Sequence, residues 1–119
     1  MSRFDAKTLS DLHEAHEVTI RTERHPDAAV VIWVAVTEDE AFVRSFRGAK
    51  GRWYRDLAAG GPATLELGDR RLAVQAVPAD DAAIARASRE YLRKYGSSSY
   101  AQAMVKPDIL STTLRLEPR

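Results

Sequence analysis

Residues 28–61 read AAVVIWVAVTEDEAFVRSFRGAKGRWYRDLAAGG. The first nine, residues 28–36, are continuously apolar and rich in β-branched side chains, which suits a strand covered on both faces. Thr-Glu-Asp-Glu at 37–40 turns the chain, and residues 41–46 (AFVRSF) return as a second strand. Gly48-Ala49-Lys50-Gly51 then breaks the pattern. Residues 52–59 read as a short helix, with Trp53 and Leu57 four apart on one side, and Gly60-Gly61-Pro62 ends it. This order predicts an antiparallel sheet with a basic, aromatic loop where the chain leaves it.

Working outward, residues 5–16 form an amphipathic helix on paper, with Asp5 as cap and Leu9, Leu12 and His16 at helical spacing. From Val18 the period changes to two: Val18, Ile20 and Thr22 alternate with polar neighbours, as in a half-buried strand. His25-Pro26-Asp27 is a turn. Downstream, residues 63–67 and 71–77 alternate around Gly68-Asp69, a two-residue hairpin signal. A helix capped by Asp80 or Asp81 runs to Tyr95, with Ile84, Ala87, Tyr91 and Tyr95 as its apolar stripe and Gly96 closing it. A further short helix is expected at 100–106, ended by Pro107, and a last strand at 112–116 with Leu114 and Leu116 inward. The expectation is an α+β domain over residues 1–119: six antiparallel strands joined mainly by hairpins, closed or nearly closed, with flanking helices.

The totals narrow the possible functions. A chain of 119 residues is the length of one ordinary domain. No apolar run approaches the ~20 residues of a membrane span, and residues 1–5 lack the apolar stretch of a secretory signal. Zero cysteines exclude disulfides, thiolate metal sites and cysteine nucleophiles, and cytoplasm is the expected compartment. With 18 basic and 17 acidic residues the net charge of +1 recruits no particular partner. The distribution is less even. Arg44, Arg47, Lys50, Arg52 and Arg55 place five cations in twelve residues with no carboxylate among them.

Most other chemical candidates are weak. His13 and His16 lie three apart beside Glu14 and Glu17, one residue short of the helical His-Glu-x-x-His metal motif, so a solvated helix end is preferred and no metal is expected. Ser97, Ser98 and Ser99 lack a nucleophile elbow and a nearby histidine, and read as loop. No carboxylate pair stands out for acid–base work, which disfavours hydrolysis but leaves cofactor-borne chemistry open.

Residues 44–56 (RSFRGAKGRWYRD) stand apart. Arginine forks match phosphate oxygens, Ser45 adds a hydroxyl, and two glycines let backbone approach a ligand. The helix opening near Arg52 directs free N–H groups outward, an arrangement suited to an anion. The competing readings are a solvated basic loop with Trp53 packed inward, or a segment that tracks a nucleic-acid backbone. The small net charge and the lack of a second basic patch argue against nucleic acid.

From Ile32 to Gly60 the chain resembles the flavin-binding split-barrel superfamily, which includes pyridoxamine 5′-phosphate oxidase and the deazaflavin-dependent nitroreductases. Trp53-Tyr54-Arg55-Asp56-Leu57 is similar to the Trp-Tyr-x-Asn-Leu run of the nitroreductase branch. With Thr19-Ile20-Arg21-Thr22 before it and Thr112-Thr113-Leu114-Arg115-Leu116 after it, most of the chain looks like a short bacterial family of unknown function grouped with these barrels. The resemblance implies a six-stranded split barrel, a homodimer with cofactor at the subunit boundary, and FMN or the deazaflavin F420 as that cofactor. It places the cofactor phosphate on Arg44, Ser45, Arg47 and Lys50, with Trp53 completing the binding set. It implies an oxidoreductase acting on a small planar substrate. The oxidase pattern Arg-x-x-x-Leu-Lys is absent after Arg44, so that enzyme's activity is not expected. The Gly-Arg-Lys-Ser-Gly-like turn of the nitroreductases is not reproduced by Arg24-His25-Pro26-Asp27. A module that binds anions or nucleic acid without catalysis, and a barrel with no cofactor, remain the alternatives.

Overall fold

A computed structural model describes residues 3–119. The first helix, α1 (Ala6–Glu14), starts where the sequence places it, because the Asp5 carboxylate accepts from the Thr8 N–H at 2.7 Å. It stops before His16. Strand β1 (Val18–Thr22) buries Val18, Ile20 and Thr22 and turns the alternate residues outward, the period-two pattern expected of it.

The apolar run at 28–36 is where expectation and structure part. It forms two strands, β2 (Val30–Ile32) and β3 (Val34–Thr37), separated at Trp33. β2 pairs antiparallel with β1, whereas β3 pairs with β4 (Glu40–Val43). The sheet therefore has seven strands rather than six, in the order β2-β1-β5-β6-β7-β4-β3, where β5 is Gly61–Leu67, β6 Arg70–Pro78 and β7 Leu114–Pro118. Its two edges are consecutive in the chain. That connection through one residue forces the sheet to curl until its edges meet, giving a nearly closed antiparallel barrel with flanking helices. Composition alone could not show the break, since both halves are equally apolar.

Helix α3 (Asp81–Tyr95) holds this corner. Asp80 caps it, accepting from the Ala83 N–H at 2.8 Å. Near its end the Tyr95 hydroxyl donates to the His16 carbonyl (2.7 Å) and accepts from the Val34 N–H (3.3 Å). Lys94 Nζ donates to the carbonyls of Leu12 and Val34 at 3.1 and 2.9 Å. Side chains of one helix thus supply partners to backbone groups at the strand break, where a group left unpaired would be costly. The Trp33 and Tyr95 rings stack at 3.9 Å with 1° between their planes.

Two cores result. Inside the barrel, Leu12, Ile20, Val34, Leu65, Val74 and Leu114 pack with Trp53 and Leu57. Outside, Ala35 and Phe42 of β3 and β4 meet Ala87, Tyr91, Met104 and Ile109. The β5–β6 hairpin turns at Gly68, with φ of +60°, as its sequence signal requires. The β3–β4 turn carries Glu38 and Asp39 at φ of 52° and 63°. The expected helix at 100–106 is instead a series of 3₁₀ turns, Ala103–Val105 and Pro107–Thr112. No helix of the described residues is long and apolar enough to cross a membrane.

Candidate functional site

Strand β4 ends at Val43, and the next thirteen residues diverge in environment one by one. Arg44 turns inward and is 1% exposed. Its Nε donates to Thr113 Oγ1 (2.8 Å), Nη1 to Ser88 Oγ and the Met104 carbonyl (2.9 Å each), and Nη2 to the Ile84 carbonyl (3.1 Å). The guanidinium also lies 5.1 Å from the centre of the Tyr91 ring. Burial draws its pKa below the ordinary arginine value. Ser45 is equally buried; its N–H donates to Thr112 Oγ1 at 3.0 Å and its hydroxyl to the Gly48 carbonyl at 2.7 Å.

The two loop glycines serve this packing. A Cβ on Gly51 would stand 2.5 Å from Ser45 Oγ, and one on Gly48, whose φ is +66°, would stand 3.3 Å from Ile109 Cγ2. In the direction a side chain would take, both glycines meet protein atoms, while the Gly51 backbone also lines the groove described below.

Beyond them the chain faces outward. Arg47 and Lys50 are exposed around a single 3₁₀ turn, Gly48–Lys50. Helix α2 (Arg52–Leu57) buries Trp53 and Leu57 in the barrel core and leaves Arg52 and Arg55 outside. Arg21, Arg70, Arg86, Arg93 and Arg115 all meet carboxylates. Among the described residues, none of Arg47, Lys50, Arg52 and Arg55 has a carboxylate within ion-pair distance.

These four cations stand on the rim of an open groove of about 740 Å³. One wall is strand β2 with Trp33, the sheet edge created by the strand break. The opposite wall is the segment from Arg44 to Arg47, and Tyr100 and Met104 extend it. All five residues singled out in the sequence (Arg44, Ser45, Arg47, Lys50 and Trp53) line this groove, although only Arg47 and Lys50 present exposed side chains. Val31, Phe46 and Tyr100 are 59%, 54% and 62% exposed, so three of the four large exposed apolar side chains lie here. Glu17 is the one carboxylate in the lining.

Outside the groove lining, but adjoining Arg55 in the chain, lies a cluster that sequence reasoning did not assemble. Asp56 Oδ2 accepts from Thr22 Oγ1 at 2.6 Å and meets His25 Nδ1 at 2.7 Å. Burial alone would push the Asp56 carboxyl up, but the hydrogen bonds from Thr22 and His25 outweigh it and hold the pKa below the usual value. A turn histidine and a helix aspartate 31 residues apart give no local signal. The other histidines separate. His13 stands 3.7 Å from Glu90, while His16 lies past the end of α1 with its ring edge-on to Trp33 and Tyr95. Ser98 Oγ accepts from the Tyr100 N–H at 3.1 Å within its loop.

Residues 8–116 match the family described as an uncharacterized protein conserved in bacteria (DUF2255). The chain belongs to this family. Among solved structures, the conserved hypothetical protein Rv2991 from Mycobacterium tuberculosis is similar, with a TM-score of 0.62 over 98% of this chain and 79% of that one. At 13% identity this likeness shows the fold alone. No curated protein sequence matches the chain. Within the DUF2255 match fall both walls of the groove and the Thr22–Asp56–His25 cluster.

Proposed function

We propose that the groove is a cofactor site of the flavin type, taking FMN or the deazaflavin F420, and that the protein is an oxidoreductase for a small planar substrate. The observation that carries this reading is the set of four exposed cations without carboxylate partners beside an apolar wall. Pockets for cofactors combine such apolar walls with a few convergent polar groups, and 740 Å³ is within their usual range. Arg47 and Lys50 would hold the phosphate, and the exposed faces of Val31, Trp33 and Phe46 would lie along the ring. When bound, the cofactor would supply the two-electron chemistry. The residues of this chain would orient it and keep water from one face. Arg44 and Ser45 then act at one remove, fixing the loop from which Arg47 and Lys50 project.

The same reading includes a homodimer. One wall of the groove is open, and Val31, Phe46 and Tyr100 expose apolar surface there that a second copy would cover about a two-fold axis.

The test is saturable quenching of FMN or F420 fluorescence by the purified protein, with riboflavin as the phosphate-free comparison. Arg47→Ala should weaken FMN binding about ten- to a hundred-fold, the loss expected for one hydrogen bond to a charged group, and leave riboflavin nearly unchanged. No binding of any of the three at high micromolar concentration rejects the proposal. A salt-dependent loss confined to single-stranded oligonucleotides would transfer the groove to a nucleic-acid backbone.

A further inference from the structure

We propose that His25 is a proton-carrying member of the groove's anion site, so that a doubly charged oxyanion of the phosphate or sulfate class binds most tightly when this imidazole is protonated. The proposal shares with the preceding reading only the premise that the rim cations hold an anion. It does not depend on that anion belonging to a flavin.

Geometry singles out His25. The Asp56 side chain is 6% exposed and takes Nδ1 of the imidazole at 2.7 Å, while the imidazole itself is 45% exposed. A buried carboxylate at Nδ1 fixes the proton there and leaves Nε2 as the nitrogen that exchanges protons with solvent or ligand. Thr22 Oγ1 donates to the same carboxylate oxygen, so the aspartate is held from strand β1 as well as by its own helix. The turn carrying the histidine is fastened twice more. Ala28 N–H donates to the His25 carbonyl at 3.0 Å, and Arg21 Nη1 donates to the Pro26 carbonyl at 3.1 Å.

These bonds also fix its place. Ala28, bonded to the His25 backbone, lines the groove, and so does Arg55, the chain neighbour of Asp56. The turn is therefore tied at its backbone to one groove-wall residue and, through Asp56, adjoins the part of α2 that presents Arg52 and Arg55, although His25 and Asp56 lie outside the lining itself. The charges around the imidazole are mixed. Arg24 in its own turn acts on the Asp56 carboxylate, Arg21 on β1 is bonded to the turn at Pro26 and paired with Glu66, and Glu23 and Asp27 flank the turn. An oxyanion among the arginines adds negative charge beside the imidazole and accepts a hydrogen bond from Nε2–H. Linkage then requires that the anion raise the proton affinity of His25 by the factor by which the proton raises the affinity for the anion.

Sulfate is the probe, because it remains a dianion between about pH 5 and 8, the range in which histidine changes charge. The full chain is followed by imidazole NMR across that range, with sulfate or with chloride at matched ionic strength. Sulfate should move the His25 titration midpoint upward, and sulfate affinity should fall about tenfold as pH rises through it. His25→Gln should still bind sulfate but with a flat pH profile. A midpoint that saturating sulfate does not move, the same pH profile in His25→Gln, or no sulfate binding at all overturns the proposal and leaves the Asp56–His25 pair as a clasp for the turn. Should His25→Gln fail to fold, the wild-type titration decides alone. Flavin binding without any response of His25 would leave the preceding reading standing and remove this one. Sulfate coupling without flavin binding would do the reverse.

Discussion

Arg44 and Arg47 are three residues apart on one segment, yet the fold treats their charges in opposite ways. Arg44 is enclosed, with two hydroxyls, two carbonyls and an aromatic face around its guanidinium. Arg47 stands in solvent with Lys50, Arg52 and Arg55 and without a carboxylate partner. A buried charge survives only when its donors are satisfied inside, so Arg44 ties β4 to α3 and to the turns at 103–113. An exposed cation needs no internal partner. The same residue type is therefore architecture at one position and an exposed charge without a carboxylate partner among the described residues at the other, and the local charge excess was a sum of both.

The largest expected effect tests the enclosed member. Arg44→Met keeps much of the volume but leaves the buried Met104 carbonyl without its donor and removes the bonds to Thr113 and Ser88, with about 1–3 kcal/mol lost for the unsatisfied buried group alone. Urea unfolding should show a fall of about 3 kcal/mol, whereas Arg47→Met should stay within roughly 0.5 kcal/mol of wild type, as exposed substitutions do. Equal losses at the two positions would break the comparison.

Lys94 extends the enclosed class and makes it sensitive to pH. Burial draws its pKa down to about 8 from 10.5. Between those values the unfolded chain holds the proton more firmly than the folded one, so this group's contribution to stability rises as pH rises from about 8 toward 10.5. Above pH 10 the tyrosines act in the opposite sense. The pKa of Tyr95 is pushed up to about 12 by burial, so the folded chain keeps a proton that the unfolded chain releases. The clean window is pH 8–10. Because Lys94 is partly solvated, the rise should be no more than about 1 kcal/mol. Lys94→Met should flatten that slope in denaturation curves collected across the window. A slope unchanged in the variant would assign it to other groups.

The sequence made much of this legible, and where it failed the reasons are physical. Alternation in β1, β5 and β6, the caps at Asp5 and Asp80 and the Gly68 turn are local signals, and each reappears at its place. The break at Trp33 is not local. It arises because β2 and β3 find partners at opposite ends of the sheet, which no period within residues 28–36 can express. The groove's basic wall was visible as composition, and its five candidates do line one cavity. Its other wall was hidden in the same apolar run, since Val31 and Trp33 read as core while Val31 is 59% exposed. His25 and Asp56 were each noticed singly, one as a turn residue and one inside a motif. Only the pairing of β1 with β5, and the seating of α2 against β1, bring them within 2.7 Å.

The smallest expected effect carries the opposite sign to the first. Arg52 opens α2, where its charge opposes the positive end of the helix, and it shares the rim with three further cations. Among the described residues Arg52 has no carboxylate within ion-pair distance, and Asp56, four residues on, is already held by Thr22 and His25. Arg52→Gln should therefore raise stability by a few tenths of a kcal/mol, roughly 0.3, at low ionic strength. Because the charges are solvated, the gain should fade as salt shortens the screening length from about 30 Å at 0.01 M to about 3 Å at 1 M. The check is a pair of denaturation curves, wild type and variant, at each of those ionic strengths. A loss above about 1 kcal/mol would mean that Arg52 has a partner within the fold, and the rim would then belong with Arg44 as architecture rather than stand against it.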